Sequence, residues 1–190
     1  WTNLAIIYDD TPTGMCIYEQ ADGDPAVYIG TVRGPYVVDF AAGKAYKLQI
    51  RFSDAHADNG RGIASWNGDL IFGKGGNARR YTVLGRDAQV TDMGPNKEDG
   101  LPGRLMGRVV ALETSMEHFL LAAIDAGDQK STILKWTSSA WHPLVEADTA
   151  NEPIRCLAFS TLTSVPRLYF GQGNSIWHIP LYDITSNPVQ

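Results

Sequence analysis

The chain repeats itself at long range. Trp1-Thr2-Asn3-Leu4 returns as Trp141-His142-Pro143-Leu144, 140 residues later. At the same offset Cys16, within Met15-Cys16-Ile17, falls on Cys156, within Arg155-Cys156-Leu157. One residue of drift further on, Val27-Tyr28-Ile29-Gly30 meets Leu168-Tyr169-Phe170-Gly171, and Leu70-Ile71-Phe72-Gly73 repeats the same apolar-aromatic-glycine pattern. Three landmarks in one order define a repeat. A repeat constrains architecture before any single residue does, because each unit must bury its apolar face against its neighbours.

Three intervening units within that offset give about 47 residues per repeat, near the period of a four-stranded blade. Each unit divides into short apolar runs separated by turn residues. The first predicts strands over Gly14–Gln20, Ala26–Thr31, Pro35–Phe40 and Ala45–Phe52. The second predicts them over Gly62–Trp66, Asp69–Gly73, Arg79–Leu84 and Ala88–Met93. Arg108–Glu113, His118–Ile124, Thr132–Thr137 and Trp141–Glu146 form the third set, and Ile154–Ser160, Arg167–Gly171 and Ser175–Leu181 the fourth. Met116–Ala126 is rich in Leu and Ala and competes as a helix, but it occupies the slot of the aromatic-glycine strands. Asn67-Gly68 suits a tight hairpin, since both residues tolerate positive φ, and Ala41-Ala42-Gly43-Lys44 places a glycine at a second turn.

The fourth unit lacks its last strand, while Trp1–Tyr8 matches a last strand through its Trp-x-x-Leu. The expectation is an all-β fold: a β-propeller of four blades, each of four antiparallel strands, with the last blade completed by the N-terminal strand. One domain over 1–190 would hold blades near 14–52, 62–93, 105–146 and 153–181 plus 1–8. Closure of that kind hides strand edges that would otherwise template aggregation. A four-blade ring implies a monomer; an equally phased part of a larger ring would have the same sequence pattern.

The aromatic-glycine second strand and Trp-led fourth strand resemble β-propeller repeats in general. The Trp-Asp and Gly-His pairs of WD40 blades, the Asp box of sialidase blades and the kelch double glycine are absent. The string Gly171-Gln172-Gly173-Asn174-Ser175-Ile176-Trp177-His178-Ile179-Pro180-Leu181 is similar to blades of poorly characterised propellers, some encoded by bacteriophages beside virion genes. That resemblance implies a component of a virion or surface assembly.

Composition narrows the partners. Sixteen Lys and Arg are scattered through a chain of net charge -5, which disfavours a nucleic-acid partner, since binding a phosphate backbone needs clustered cations. No apolar stretch reaches membrane-spanning length, and no targeting segment is evident. A start on Trp1 rather than Met reads as a processed, excised or engineered form. Two cysteines allow one disulfide at most, and both read as small buried apolar residues.

No reaction signature stands out, and no cofactor is implied. The four histidines have no metal-ligand spacing. His118 and His178 fall in strands and read as structural. Asp54-Ala55-His56-Ala57-Asp58-Asn59-Gly60 has too few oxygen ligands for a calcium loop and reads as a turn. Gly73-Lys74-Gly75-Gly76-Asn77 lacks the helix of a phosphate loop and reads as a hairpin. The five tryptophans fall in strands and read as core.

The acids are arranged more suggestively. The loops entering the four blades carry Asp9 and Asp10, Asp54 and Asp58, Glu98 and Asp99, and Asp148 and Glu152, eight of the 21 Asp and Glu. These would ring one loop face, with Arg33, Lys74 and Lys130 as partial compensation. The expectation is a non-catalytic interaction or structural module that meets a protein partner there. The alternative is a carbohydrate-binding or carbohydrate-processing propeller using the same acidic face.

Overall fold

A computed structural model describes residues 7, 9–19, 25–50, 52, 54–84, 87–95, 107–115, 119–125, 130–148, 153–162 and 164–180. They form fifteen strands in four antiparallel sheets arranged as the four blades of a β-propeller, and no helix occurs among them. Blade 1 holds β1 (Pro12–Tyr18), β2 (Ala26–Thr31), β3 (Tyr36–Asp39) and β4 (Lys44–Lys47). Blade 2 holds β5 (Ile63–Trp66), β6 (Asp69–Lys74), β7 (Asn77–Leu84) and β8 (Asp87–Pro95). Blade 3 holds β9 (Arg108–Thr114), β10 (Leu120–Asp125), β11 (Lys130–Trp136) and β12 (Trp141–Asp148). Blade 4 holds β13 (Ile154–Ser160), β14 (Arg167–Gln172) and β15 (Ser175–Pro180). In every blade the strands pair in sequence order. Trp1–Tyr8, expected as the missing strand of blade 4, lies outside the described residues apart from Ile7.

The turns behave as their chemistry requires. Asn67 and Gly68, at φ 49 and 78, close β5 onto β6. Gly75, at φ 58, sits in the β6–β7 turn, so the glycine-rich segment is a hairpin. The segment that competed as a helix is, over Leu120–Asp125, a fully paired central strand.

Strand alternation gives each blade two apolar faces, and the core lies between blades rather than within them. Tyr18 and Tyr28 of blade 1 pack on Ile63, Leu70 and Phe72 of blade 2. Ala64, Ile71 and Ala78 of blade 2 pack on Val109, Leu120, Ala122 and Ile124 of blade 3. Val110, Leu121, Ala123 and Ile133 of blade 3 meet Ile154, Leu157, Leu168 and Phe170 of blade 4. As the alternation of β11 requires, Leu134 serves one interface and Ile133 the other. Each fully buried side chain of this size stabilises by about 1.5–3 kcal/mol. The inner strands stack β1 on β5, β5 on β9 and β9 on β13; β13 and β1 make no comparable contact. The described blades form an arc.

Three expectations need correction. Cys156 is exposed, whereas Cys16 is largely covered, and both thiols are free. Trp177 is 55% exposed rather than core, because it lies on β15, the outermost described strand of blade 4. The cysteine landmark is out of step by two residues. Cys16 pairs with Tyr28, but Tyr169, the counterpart of Tyr28, pairs with Ala158. Cys156 faces Gly171 and so corresponds to Gly14.

Candidate functional site

The loop leading into β5 crosses the ends of three blades, and Asn59 ties it there. The Asn59 side chain is fully buried. Its Nδ2 donates to the carbonyls of Val32 at 3.1 Å and Asp54 at 2.8 Å. Its Oδ1 accepts from the Gly75 amide at 3.3 Å and from Arg108 Nη1 at 3.4 Å. Thr13 Oγ1 donates to its backbone carbonyl at 2.6 Å. One side chain thereby joins the β2–β3 loop of blade 1, the β6–β7 turn of blade 2 and the start of β9 in blade 3. Gly60 follows at φ 67, close enough to Thr31 that an added Cβ would lie 2.6 Å from its amide nitrogen.

Acids and arginines alternate around this hub. Asp58 Oδ1 lies 3.7 Å from Arg61 and 3.8 Å from Arg155, and Asp58 Oδ2 lies 3.5 Å from His56 Nδ1. Arg155 also approaches Asp125 at 3.7 Å, which links blades 3 and 4 to the same loop. Arg108 lies 3.6 Å from Asp54, whose side chain is half exposed. The network is a chain of long, partly exposed ion pairs, so its energetic worth is small per pair and its effect is positional.

Asp10 is held differently. Its side chain is 1% exposed. It accepts from Thr31 Oγ1 at 2.8 Å, the Thr11 amide at 2.9 Å and Lys47 Nζ at 3.4 Å. The Gly34 carbonyl shares the single Thr31 hydroxyl proton with Asp10. Burial, and then the negative charge of Asp10, push the Tyr36 phenol above its ordinary range. Asp10 is thus a structural anchor for the start of blade 1, while Asp9 stands exposed beside it at φ 58.

Of the eight acids expected on this face, Asp54 and Asp58 come together around Asn59, and Asp9 and Asp10 flank β1. Asp148 closes β12, with its backbone alone described. Glu98, Asp99 and Glu152 lie outside the described residues. Among the described residues no three His, Cys, Asp or Glu side chains converge as metal ligands would. Asn59, Arg108 and Arg155 escaped the sequence reading because their partners come from other blades. The one available signal was Asn59-Gly60 inside a loop that otherwise read as a turn.

At the opposite strand ends a cleft of about 560 Å³ opens between blades 2 and 3. Trp66, Trp136 and Phe119 line it, with Asn67, Thr137 and Ser138 at the hairpin tips. Arg80 lies over the Trp66 ring at 5.9 Å and is paired with Asp69. Lys135 Nζ lies 4.3 Å from the Phe119 ring centre, and burial lowers the Lys135 pKa. Trp141, by contrast, is core: its Nε1 donates to the Met93 carbonyl at 3.0 Å.

No protein-family model and no curated protein matches the chain. Solved structures do. One is the extracellular domain of a "putative hybrid two component system" from B. thetaiotaomicron, with TM-score 0.53 and 11% identity over 93% of this chain and 27% of that one. Another, described as a "putative gluconolactonase", has TM-score 0.56 and 13% identity over 92% of this chain and 60% of that one. The chain therefore spans less than two thirds of each of these proteins, and the likeness is one of fold.

Proposed function

We propose that the chain is a non-catalytic interaction module whose loop face meets a protein partner. The observation that carries this reading is the state of the loop-face carboxylates. Asp10, Asp54 and Asp58 are each engaged by a basic side chain. Asp54 and Asp58 tie one loop to blades 3 and 4, and Asp10 anchors the start of blade 1, instead of converging on a point where a substrate atom could react. The result is a fixed surface of alternating charge, suited to setting the register of a partner surface of complementary pattern. Membership of a virion or surface assembly belongs to this proposal and rests on the resemblance of the Gly171–Leu181 string alone.

Crosslinking in the native source, followed by direct binding to the purified partner, tests it. Arg108→Ala with Arg155→Ala is expected to weaken that binding at least tenfold, about 1.4 kcal/mol, while Trp136→Ala leaves it unchanged. The opposite pattern overturns the loop-face assignment. Turnover of a sugar lactone by the purified chain, with or without added divalent metal, overturns the non-catalytic one.

A carbohydrate-binding reading is favoured by a different observation, the cleft between blades 2 and 3. Trp66 and Trp136 beside Asn67, Thr137 and Ser138 combine ring faces with hydrogen-bonding groups, which is what a sugar ring requires. This moves the expected glycan contact from the acidic loops to the other end of the strands. On a glycan array, binding lost with Trp136→Ala and kept with Asp54→Ala supports the cleft; the reverse restores the acidic face.

A further inference from the structure

Blades 1 and 4 each expose a face that is covered at the internal blade junctions. In blade 2, Ile63 on the inner strand pairs with Phe72, and both face blade 1. The same position, opposite the residue before the aromatic-strand glycine, is Leu157 in blade 4 and Met15 in blade 1. Ile63 is 6% exposed and Leu157 9%, each covered by the preceding blade. Met15 is 73% exposed. Ile17, on the same face of β1, is 69% exposed. Val27 and Ile29 lie directly opposite these two on β2. Blade 1 thus offers an apolar receiving face that is covered in the other blades.

Blade 4 offers what such a face receives. Tyr28 and Gly30 of blade 1 lie on the face that packs against blade 2, and their counterparts in blade 4 are Tyr169 and Gly171. Tyr28 is buried by blade 2, but Tyr169 is partly open and Cys156 and Ala158, on the same face of β13, are exposed. The glycines carry independent information. A Cβ at Gly30 would collide with the Gly60 carbonyl of blade 2, and one at Gly73 would lie 2.9 Å from Val109 of blade 3. These glycines make room for the next blade. A Cβ at Gly171 would meet only Cys156 of its own sheet, at 2.7 Å. Gly171 keeps the clearance that a following blade requires, and no atom of β1 lies within 4 Å of that Cβ position.

We propose that the open face of blade 4 docks onto the open face of blade 1 in a second copy of this chain. The contact repeats the internal blade-to-blade packing. It is head-to-tail, and such contacts generate closed rings when the rotation closes. Two copies satisfy both ends with two identical contacts and complete an eight-blade ring.

Sedimentation equilibrium and thiol labelling of the 190-residue chain test this together. The expected species has twice the 20.8 kDa chain mass. Met15→Glu and, separately, Ala158→Arg change exposed residues at the two ends, and each is expected to give a monomer with an unchanged far-UV spectrum. Cys156 lies on the docking face of blade 4, three blades from Met15. At a concentration where the wild type is dimeric, Met15→Glu is expected to raise the Cys156 labelling rate ~tenfold or more, following the fraction of chain released. A monomeric wild type overturns the proposal, and that is the result if further blades of one polypeptide fill the gap. A dimer in which Met15→Glu leaves Cys156 labelling unchanged also overturns it, because the ends would then not meet head to tail.

Discussion

Replacing Asn59 by alanine isolates the contribution of the hub. The substitution removes two well-formed bonds donated to the Val32 and Asp54 carbonyls, at 3.1 and 2.8 Å. It also removes the longer contacts accepted from the Gly75 amide and Arg108. A net intramolecular hydrogen bond contributes about 1 kcal/mol, and a part-buried group left unpaired costs about 1–3 kcal/mol. The Asp54 carbonyl lies in an exposed stretch and regains water, so the main penalty falls on Val32 and Gly75. The expected loss is about 3–4 kcal/mol. At about 2–4 °C per kcal/mol for a domain of this size, Tm should fall by roughly 6–16 °C. Urea unfolding followed by tryptophan fluorescence measures it, with the slope unchanged if the native fold is kept. A loss below about 1 kcal/mol refutes the reasoning, since the loop would then be held by packing or water rather than by Asn59. Asn59→Asp sharpens the test: it keeps an acceptor for Gly75 but turns an acceptor toward Val32, so it should recover little of the loss.

Further outcomes follow from burial. Glu113 has its pKa raised chiefly by burial, with the Thr114 amide opposing. The raised value favours the neutral acid in the folded state, so that contribution is present at low pH and is lost as pH rises through the folded pKa. Glu113→Gln should therefore stabilise at pH 7 and make no difference below pH ~4, as paired thermal melts will show. Burial pushes the Cys16 thiol up to about 12 from 9.0. The stability from keeping it neutral is complete below pH 9 and is lost as pH rises toward 12. Cys16→Ala should flatten the alkaline arm of the stability curve, and native Cys16 should resist thiol reagents at pH ~8 until the chain is unfolded. Gly30→Ala should prevent blades 1 and 2 from docking and leave little soluble folded protein. Gly68→Ala, whose Cβ would meet nothing within 4 Å, should cost only the ~1–2 kcal/mol of a positive-φ alanine.

The architecture was legible because its signals are local. Apolar runs of strand length, Asn67-Gly68 and the aromatic-glycine strands each act over a few residues, and their repetition supplied the order of the sheets. The cysteine match slipped because hairpin lengths differ between blades. Seven residues separate Tyr18 from its partner Ala26, and six separate Ser160 from Arg167, so the blade 4 hairpin is one residue shorter where the cysteine match requires it to be one residue longer. The slip was two residues, one full strand period, so the cysteine match still joins residues on the same face of β1 and β13. The loop face was legible only as a set of acids. What each acid does depends on Lys47, Arg108 and Arg155, brought from elsewhere in the chain by the packing of sheets. The cleft was hidden for a related reason: Trp66 and Trp136 sit in strands as expected, but at hairpin ends where neighbouring blades diverge.

Because every core cluster is shared by two blades, no blade can keep its stability when its neighbour is lost. Folding in such a chain is a nearest-neighbour process, in which stability comes from the junctions rather than from the units. Within one copy blades 2 and 3 each belong to two junctions, and blades 1 and 4 to one. In the monomeric Met15→Glu variant opening should therefore begin at blades 1 and 4 and move inward, and amide exchange should be slowest along β6 and β10.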